Sequence, residues 1–121
     1  MSEVRIAVVD DDKLVRSATS SLLRSLGYAA RTYPSATALL DDDIGDLDVV
    51  LSDYQMPEVT GLQLLAILQA RAEPIPVVIM TAYSGGDIAE SARRMGAAGF
   101  VRKPLDETAL IAALTAALAG D

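Results

Sequence analysis

Residues 6–12 read IAVVDDD, four apolar residues followed directly by three aspartates. An unbroken apolar run of this length is typical of a strand that is covered on both faces of a parallel sheet. Carboxylates at the end of such a strand repel one another and lose hydration, and both effects disfavour their charged forms. The stretch therefore predicts a buried strand and a nearby source of positive charge.

The composition limits the chemistry that this chain of 121 residues can perform. It contains no histidine and no cysteine, which excludes histidine bases, Ser-His and Cys-His nucleophiles, disulfides and thiolate metal sites. Carboxylates, hydroxyls and lysine remain for chemistry. The net charge of −7 argues against direct binding to nucleic acid or to an anionic membrane.

Length and hydropathy predict a single domain over residues 1–121, with no output domain in this chain. No apolar run approaches the roughly 18 residues of a membrane span, and the N-terminus MSEVRIAVVDDD lacks the apolar region of a signal peptide. We therefore expect a cytoplasmic protein that does not enter the membrane.

Short apolar runs alternate with longer helical patterns, which predicts βα units and a parallel sheet. Five strands are predicted, near Arg5–Asp10, Ala29–Tyr33, Val49–Asp53, Val77–Thr81 and Phe100–Lys103. Five helices are predicted, near Lys13–Leu26, Ser35–Asp41, Gly61–Arg71, Gly86–Met95 and Glu107–Ala119.

The spacing of leucines predicts which helix faces turn inward. In the first helix the residues four apart are Leu14, Ala18, Leu22 and Leu26, and Gly27 is a plausible stop. The third helix is expected to bury Leu64, Leu65 and Leu68. The last helix is expected to bury Leu110, Ile111, Leu114 and Leu118.

Strand composition predicts the order of the sheet. The runs IAVV, VVL and VVIM are apolar throughout and suit central positions, whereas AARTY and FVRK suit edges. With right-handed crossovers, these positions give the order 2-1-3-4-5. The predicted fold is therefore α/β, a flavodoxin-like doubly wound (βα)5 architecture, with a ligand site beyond the carboxyl ends of the first and third strands.

Polar residues follow four of these strands at the same edge. They are Asp10 and Asp11, Asp53, Thr81 and Lys103. Carboxylates without histidine or cysteine form a hard-oxygen site that suits Mg²⁺ or Mn²⁺. Because Asp53 lies between the acidic pair and the lysine, it is a candidate nucleophile toward phosphorus.

The segments VVDDD, LSDYQMPEVTG, VVIMTA and GAAGFVRKP resemble, in order and spacing, the receiver domain of two-component response regulators. The resemblance covers essentially the whole chain. It implies that Asp53 accepts a phosphoryl group from a phospho-histidine of a sensor kinase or of a histidine phosphotransfer protein. It also implies that Asp10, Asp11, Asp53 and the backbone carbonyl of Gln55 hold Mg²⁺.

The same resemblance assigns roles to the remaining positions. Lys103 is expected to contact the phosphoryl group, and the Lys103–Pro104 bond is expected to be cis. Thr81 and Phe100 match the switch pair, although Phe100 lacks the hydroxyl of the more frequent tyrosine. Gln55 and Tyr83 are expected to tune autodephosphorylation.

Other acidic and apolar features have simpler interpretations. Asp12 is expected to cap the first helix, and the run Asp41–Asp43 to be a solvated loop. The outward face of the last helix carries small residues and no charge: Ala112, Ala113, Thr115, Ala116 and Ala119. The helix propensity of alanine can explain such a face. A contact surface can also explain it, either for a partner or for a homodimer of the kind that receivers form through their last helices and strand.

The sequence fits three other classes of protein less well than it fits a receiver. A haloacid-dehalogenase-like phosphatase matches the Asp-x-Asp in VVDDD, but Leu14 replaces its usual Thr or Val and no late acidic pair follows. A flavodoxin-like FMN-binding protein needs a first loop rich in Ser, Thr or Gly, whereas this loop is acidic. A receiver that works without phosphorylation conflicts with the presence of the acids, Thr81 and Lys103.

Overall fold

A computed structural model describes residues 3–82 and 86–119 of the chain. Its five strands are all parallel: β1 (Arg5–Val9), β2 (Ala29–Tyr33), β3 (Val49–Asp53), β4 (Val77–Thr81) and β5 (Gly99–Arg102). They form one sheet in the order β2-β1-β3-β4-β5. This order confirms the predicted flavodoxin-like doubly wound α/β fold.

Five helices connect and follow the strands, so the predicted alternation is confirmed. They are α1 (Lys13–Ser25), α2 (Ala36–Leu40), α3 (Gly61–Gln69), α4 (Gly86–Arg94) and α5 (Glu107–Ala119). Half of the helix bounds match the prediction, and the others differ by one or two residues because flanking residues act as caps. Ser35, for example, accepts the N–H of Ala38 as the N-cap of α2. Within residues 3–82 and 86–119, no helix combines the length and apolarity needed to cross a membrane.

The sheet separates two apolar layers. Along β1, Ile6 and Val8 face one layer and Ala7 and Val9 face the other, as the two-residue period of a strand requires. Helices α1 and α5 cover the first layer with residues such as Leu23, Leu110 and Leu114, whereas α3 covers the second. Both faces of the central strands are therefore buried, which explains their continuously apolar sequences.

The prediction for the inward face of α1 is correct only in part, since Leu22 packs against the core layer but is not fully buried. Thr19, Ser20 and Leu23 are the buried residues of this helix, and Leu14 is 80% exposed. A four-residue repeat advances 400° around a helix that turns 360° in 3.6 residues, so a row with this spacing cannot stay on one face: Leu14 and Ala18 are exposed, whereas Leu22 is partly buried. Gly27 does end α1: its φ is +96°, and the Tyr28 N–H reaches the Leu23 carbonyl in a Schellman-type stop.

The prediction for α5 is correct only in part. Leu110 and Leu114 are buried, but Ala117 completes the buried face, and Ile111 and Leu118 are each 38% exposed. The outward face therefore carries two large apolar side chains in addition to its alanines. Ala113 is half-buried against the core layer instead of facing outward. Glu107 is the only charged residue of α5, so charge does not distinguish its faces.

A matched pair of substitutions tests the corrected face of α1. We expect Leu23→Ala to lower the free energy of unfolding by about 2–5 kcal/mol, because it removes a fully buried side chain. Leu14→Ala is expected to change it by no more than about 0.5 kcal/mol, because this side chain is exposed. Urea denaturation followed by circular dichroism measures both. Equal losses for the two variants would contradict the structure.

Candidate functional site

The carboxyl ends of the strands bring the predicted polar residues to one edge of the sheet. Asp53 and Thr81 are the last residues of β3 and β4, whereas Asp10 and Lys103 follow β1 and β5 directly. Asp10 has no exposed surface, and Asp53 and Thr81 are also buried. Because polar groups are costly to bury alone, their partners determine what the site can do.

Lys103 is the shared partner of two buried carboxylates. Its Nζ donates to Asp10 Oδ2 at 2.7 Å and lies 3.1 Å from Asp53 Oδ1. Its backbone N–H donates to the Thr81 carbonyl at 2.9 Å, which fixes the residue at the end of β5. The Lys103–Pro104 peptide bond is cis, as expected. One ammonium group thus connects the ends of β1, β3 and β5.

The pKa values of Asp53 and Lys103 reflect the fact that two carboxylates share one ammonium group. Burial raises the pKa of Asp53, and the hydrogen bond and positive charge of Lys103 only partly offset that rise. Burial also acts to lower the pKa of Lys103, but its bonds to Asp10 and Asp53 outweigh burial and raise that pKa. Two carboxylates stabilise the charged form of Lys103, whereas these carboxylates must share its single positive charge. The site therefore retains excess negative charge when its acids are ionised.

A divalent cation fits this excess charge and the donor set. Asp10, Asp11 and Asp53 each offer a carboxylate oxygen, and these three atoms lie within 4.8 Å of one another. Three hard oxygen donors without nitrogen or sulfur suit Mg²⁺ or Mn²⁺. Gln55 lines an open depression together with Asp11 and Tyr54.

The loop after Asp53 depends on close backbone packing. The Gly61 N–H donates to the Tyr54 carbonyl at 2.9 Å, and a Cβ on Gly61 would collide with the Asp53 carbonyl oxygen. Thr60 is the N-cap of α3 and forms a capping box with Gln63. Its hydroxyl thus fixes the start of α3, which packs directly on the turn that carries the candidate nucleophile.

The predicted site residues fall into three groups. Asp10, Asp11, Asp53 and Lys103 lie together, and Thr81 is buried at the same edge. Phe100 lies apart from the acids, half-buried against the core layer and opposite Ile79 in the strand register. Tyr83 lies outside the described residues.

Asp12 caps α1 as expected, accepting the N–H groups of Leu14 and Val15. Its side chain is thereby engaged with the helix terminus, and the acidic run divides between the carboxylate cluster and a helix start.

The sequence does not predict two contacts that surround Asp10. The Arg16 guanidinium donates to the Asp10 carbonyl at 2.7 Å, and the Asp10 N–H donates to the Tyr33 carbonyl at 3.2 Å. Their only sequence signal is weak: Arg16 lies one helical turn after Asp12, on a helix with no acidic residue.

The run Asp41–Asp43 is exposed, as expected, but the side chain of Asp42 has a hydrogen-bond partner. It accepts a hydrogen bond from the Tyr33 hydroxyl at 2.6 Å. Burial and this bond raise the pKa of Tyr33 to about 12, and the same bond lowers the pKa of Asp42. The contact fastens the end of β2, whose last carbonyl supports Asp10.

Comparisons with known proteins agree with the geometry. A family model described as the response regulator receiver domain matches residues 6–115. The transcriptional regulatory protein FixJ of Azorhizobium caulinodans is 40% identical over 114 residues, which are 93% of this chain and 54% of that protein. The response regulator protein TmoT of Ectopseudomonas mendocina is 37% identical over 93% of this chain and 52% of its own length.

Solved structures give the same result over nearly complete chains. A response regulator receiver protein from Burkholderia phymatum has a TM-score of 0.84 and 33% identity, with 98% of each chain covered. The FixJ-N crystal structure has a TM-score of 0.88 and 29% identity, covering 100% of this chain and 98% of that one. The chain spans about half the length of the curated relatives that it matches.

The raised pKa of Asp53 predicts how its neutral replacement affects stability. A carboxyl whose pKa is higher in the folded than in the unfolded state loses stability as the pH rises through these values. We therefore expect Asp53→Asn, measured in EDTA at pH 7, to unfold at a higher urea concentration than the wild type. The difference should shrink as the pH falls and Asp53 becomes protonated. A less stable variant at pH 7, or a difference that grows in acid, would contradict the site's electrostatics.

Proposed function

The chain belongs to the family of response regulator receiver domains of two-component signalling, and from this premise we propose that it is a phosphorelay switch with Asp53 as its phosphoacceptor. The observation that carries the proposal is the bridge from Lys103 to Asp53 and Asp10, beside the carboxylate of Asp11. This bridge places the buried Asp53 carboxylate beside a fixed ammonium group and beside carboxylate oxygens of the kind that bind hard metal ions.

In the proposed reaction an Asp53 carboxylate oxygen attacks the phosphorus of a phospho-histidine. The new O–P bond forms as the P–N bond breaks, and the imidazole leaves and takes a proton from solvent. Asp10, Asp11, Asp53 and the Gln55 carbonyl would hold Mg²⁺. When bound, this cation neutralises negative charge on the carboxylates and the phosphoryl oxygens.

Lys103 contributes positioned positive charge to this transfer. Because its Nζ lies 3.1 Å from Asp53 Oδ1, it is within reach of a group attached to that carboxylate. A phosphoryl group adds about −1.5 to −2 charges at neutral pH. That added charge competes with Asp10 for Lys103, which supplies a physical cause for conformational change.

We propose that the change is read through Thr81 and Phe100. Thr81 ends β4 at the site, and Phe100 is on the neighbouring strand β5. Because Phe100 has no hydroxyl, the proposed read-out uses movement of its ring and not a tyrosine hydrogen bond. Gln55 and Tyr83 are proposed to tune autodephosphorylation, with Gln55 orienting water and Tyr83 shielding the phosphoryl group.

The proposed partners follow from this chemistry. The donor is a sensor histidine kinase or a histidine phosphotransfer protein, and the chain acts in the cytoplasm as a signalling switch without turnover of small molecules. Its net charge of −7 disfavours direct contact with nucleic acid. The uncharged outward face of α5 supports a homodimer through the last helices and strand.

Phosphorylation with a small donor tests the acceptor. Incubation with acetyl phosphate and Mg²⁺ should add one phosphoryl group to the wild type, as measured by intact mass spectrometry. Asp53→Asn should remain unmodified, whereas Asp12→Asn should still be modified, because asparagine also caps a helix. An unmodified wild type, or a modified Asp53→Asn, would reject the assignment.

Charged substitutions test the α5 surface. Ala112 and Ala116 are exposed and four residues apart, so replacing both by glutamate should keep the acetyl-phosphate-treated protein monomeric where the wild type dimerises. Ala66→Glu with Ala70→Glu is the matched control, since these alanines are exposed with the same spacing on α3 and its C-cap. Sedimentation velocity gives the oligomeric state. Unchanged dimerisation of the α5 variant would contradict this surface, as would a phosphorylated wild type that remains monomeric.

A further inference from the structure

We propose that Arg16 is a positioning residue for the acidic cluster, holding the peptide unit between Asp10 and Asp11 so that the Asp11 carboxylate stays beside those of Asp10 and Asp53. The half-buried Arg16 donates from Nη1 to the Asp10 carbonyl at 2.7 Å. It touches neither the proposed phosphoacceptor nor a carboxylate oxygen of the cluster in any contact that the structure records. The inference builds on the proposed Mg²⁺ site.

The two acids are held very differently. All four polar groups of Asp10 have partners: its N–H bonds to Tyr33, its Oδ1 to the Asp12 N–H, its Oδ2 to Lys103 and its carbonyl to Arg16. Asp11 is exposed, and in the part of the chain that the structure describes its side chain makes no hydrogen bond or ion pair. The position of Asp11 therefore depends on the backbone on either side of it.

Arg16 supplies the constraint on the Asp10 side of that backbone. Strand β1 ends at Val9 and helix α1 begins at Lys13, so Asp10 and Asp11 lie between regular elements. Because a peptide unit is planar, a bond to the Asp10 carbonyl also fixes the direction of the Asp11 N–H. Asp12, on the other side, is fixed by its role as the cap of α1.

The charge of Arg16 and its hydrogen bond have opposite effects on a bound cation. A guanidinium beside the cluster repels Mg²⁺, so a residue that acted by charge alone would weaken binding, and its removal would strengthen it. A residue that acts by position strengthens binding, and its removal weakens it. The direction of the change in affinity therefore separates the two effects.

The test is the Mg²⁺ affinity of the complete chain, measured by isothermal titration calorimetry without any phosphodonor. We expect Arg16→Met to raise the Kd for Mg²⁺ about tenfold, the scale typical of residues that support metal ligands. Arg24→Met is the matched control, since Arg24 lies on the same helix and donates to the Ala30 carbonyl at 3.0 Å. It should leave the Kd unchanged. In metal-free protein, Arg16→Met should shift the amide NMR signal of Asp11, and Arg24→Met should not.

An unchanged or lowered Kd for Arg16→Met would overturn the role of Arg16. Should that variant fail to fold, Arg16→Gln, whose side chain is too short to keep the bond, takes its place under the same criterion. A wild type that binds no Mg²⁺ would contradict the proposed metal site itself. Binding by the wild type with an unaffected variant would contradict only the positioning role.

Discussion

One ammonium group shared by two buried carboxylates is the constraint on which the site depends. Lys103 reaches Asp10 and Asp53 from the end of β5, so three strands must keep their order and register for the bridge to form. A divalent cation would fit the remaining negative charge, because the cluster contains three acids and one lysine. The fold thus brings together the acids and the ammonium group that the proposed phosphorylation requires.

Backbone contacts around the site hold its mutually repelling acids in place. Gly61 lets α3 approach the Asp53 carbonyl, Tyr33 and Arg16 hold the peptide groups of Asp10, and Asp12 caps α1. These contacts tie α1, α3 and β2 to the ends of β1 and β3. They explain how acids that repel one another remain in one place before any cation binds.

Much of the fold and of the candidate site could be predicted from the sequence, because the relevant signals are local. Continuous apolar runs identified the central strands, and the residues that follow them had to meet at one edge of a parallel sheet. The buried face of α1 could not be predicted by a four-residue repeat, since Thr19 and Ser20 lie closer to the sheet than Leu14 does. The faces of α5 were equally ambiguous, because nearly every residue of that helix is uncharged.

The contacts of Arg16 and Asp42 escaped prediction for a different physical reason. Both join a side chain to a partner brought close by the fold, a backbone carbonyl in one case and the Tyr33 hydroxyl in the other. No periodicity or motif reports such a bond. The pattern of residues therefore predicted which groups meet at this edge of the sheet, whereas the contacts that hold them required coordinates.

Lys103 alone only partly offsets the cost of burying the charged Asp53 carboxylate, and we propose that a divalent cation supplies the rest. Titration of the Asp53 carboxyl carbon by NMR, first in EDTA and then with saturating Mg²⁺, measures this directly. We expect the pKa of Asp53 to lie above its usual value in EDTA, because burial outweighs Lys103, and to fall when Mg²⁺ is added. A pKa at or below the usual value in EDTA, or one that Mg²⁺ leaves unchanged, would contradict it.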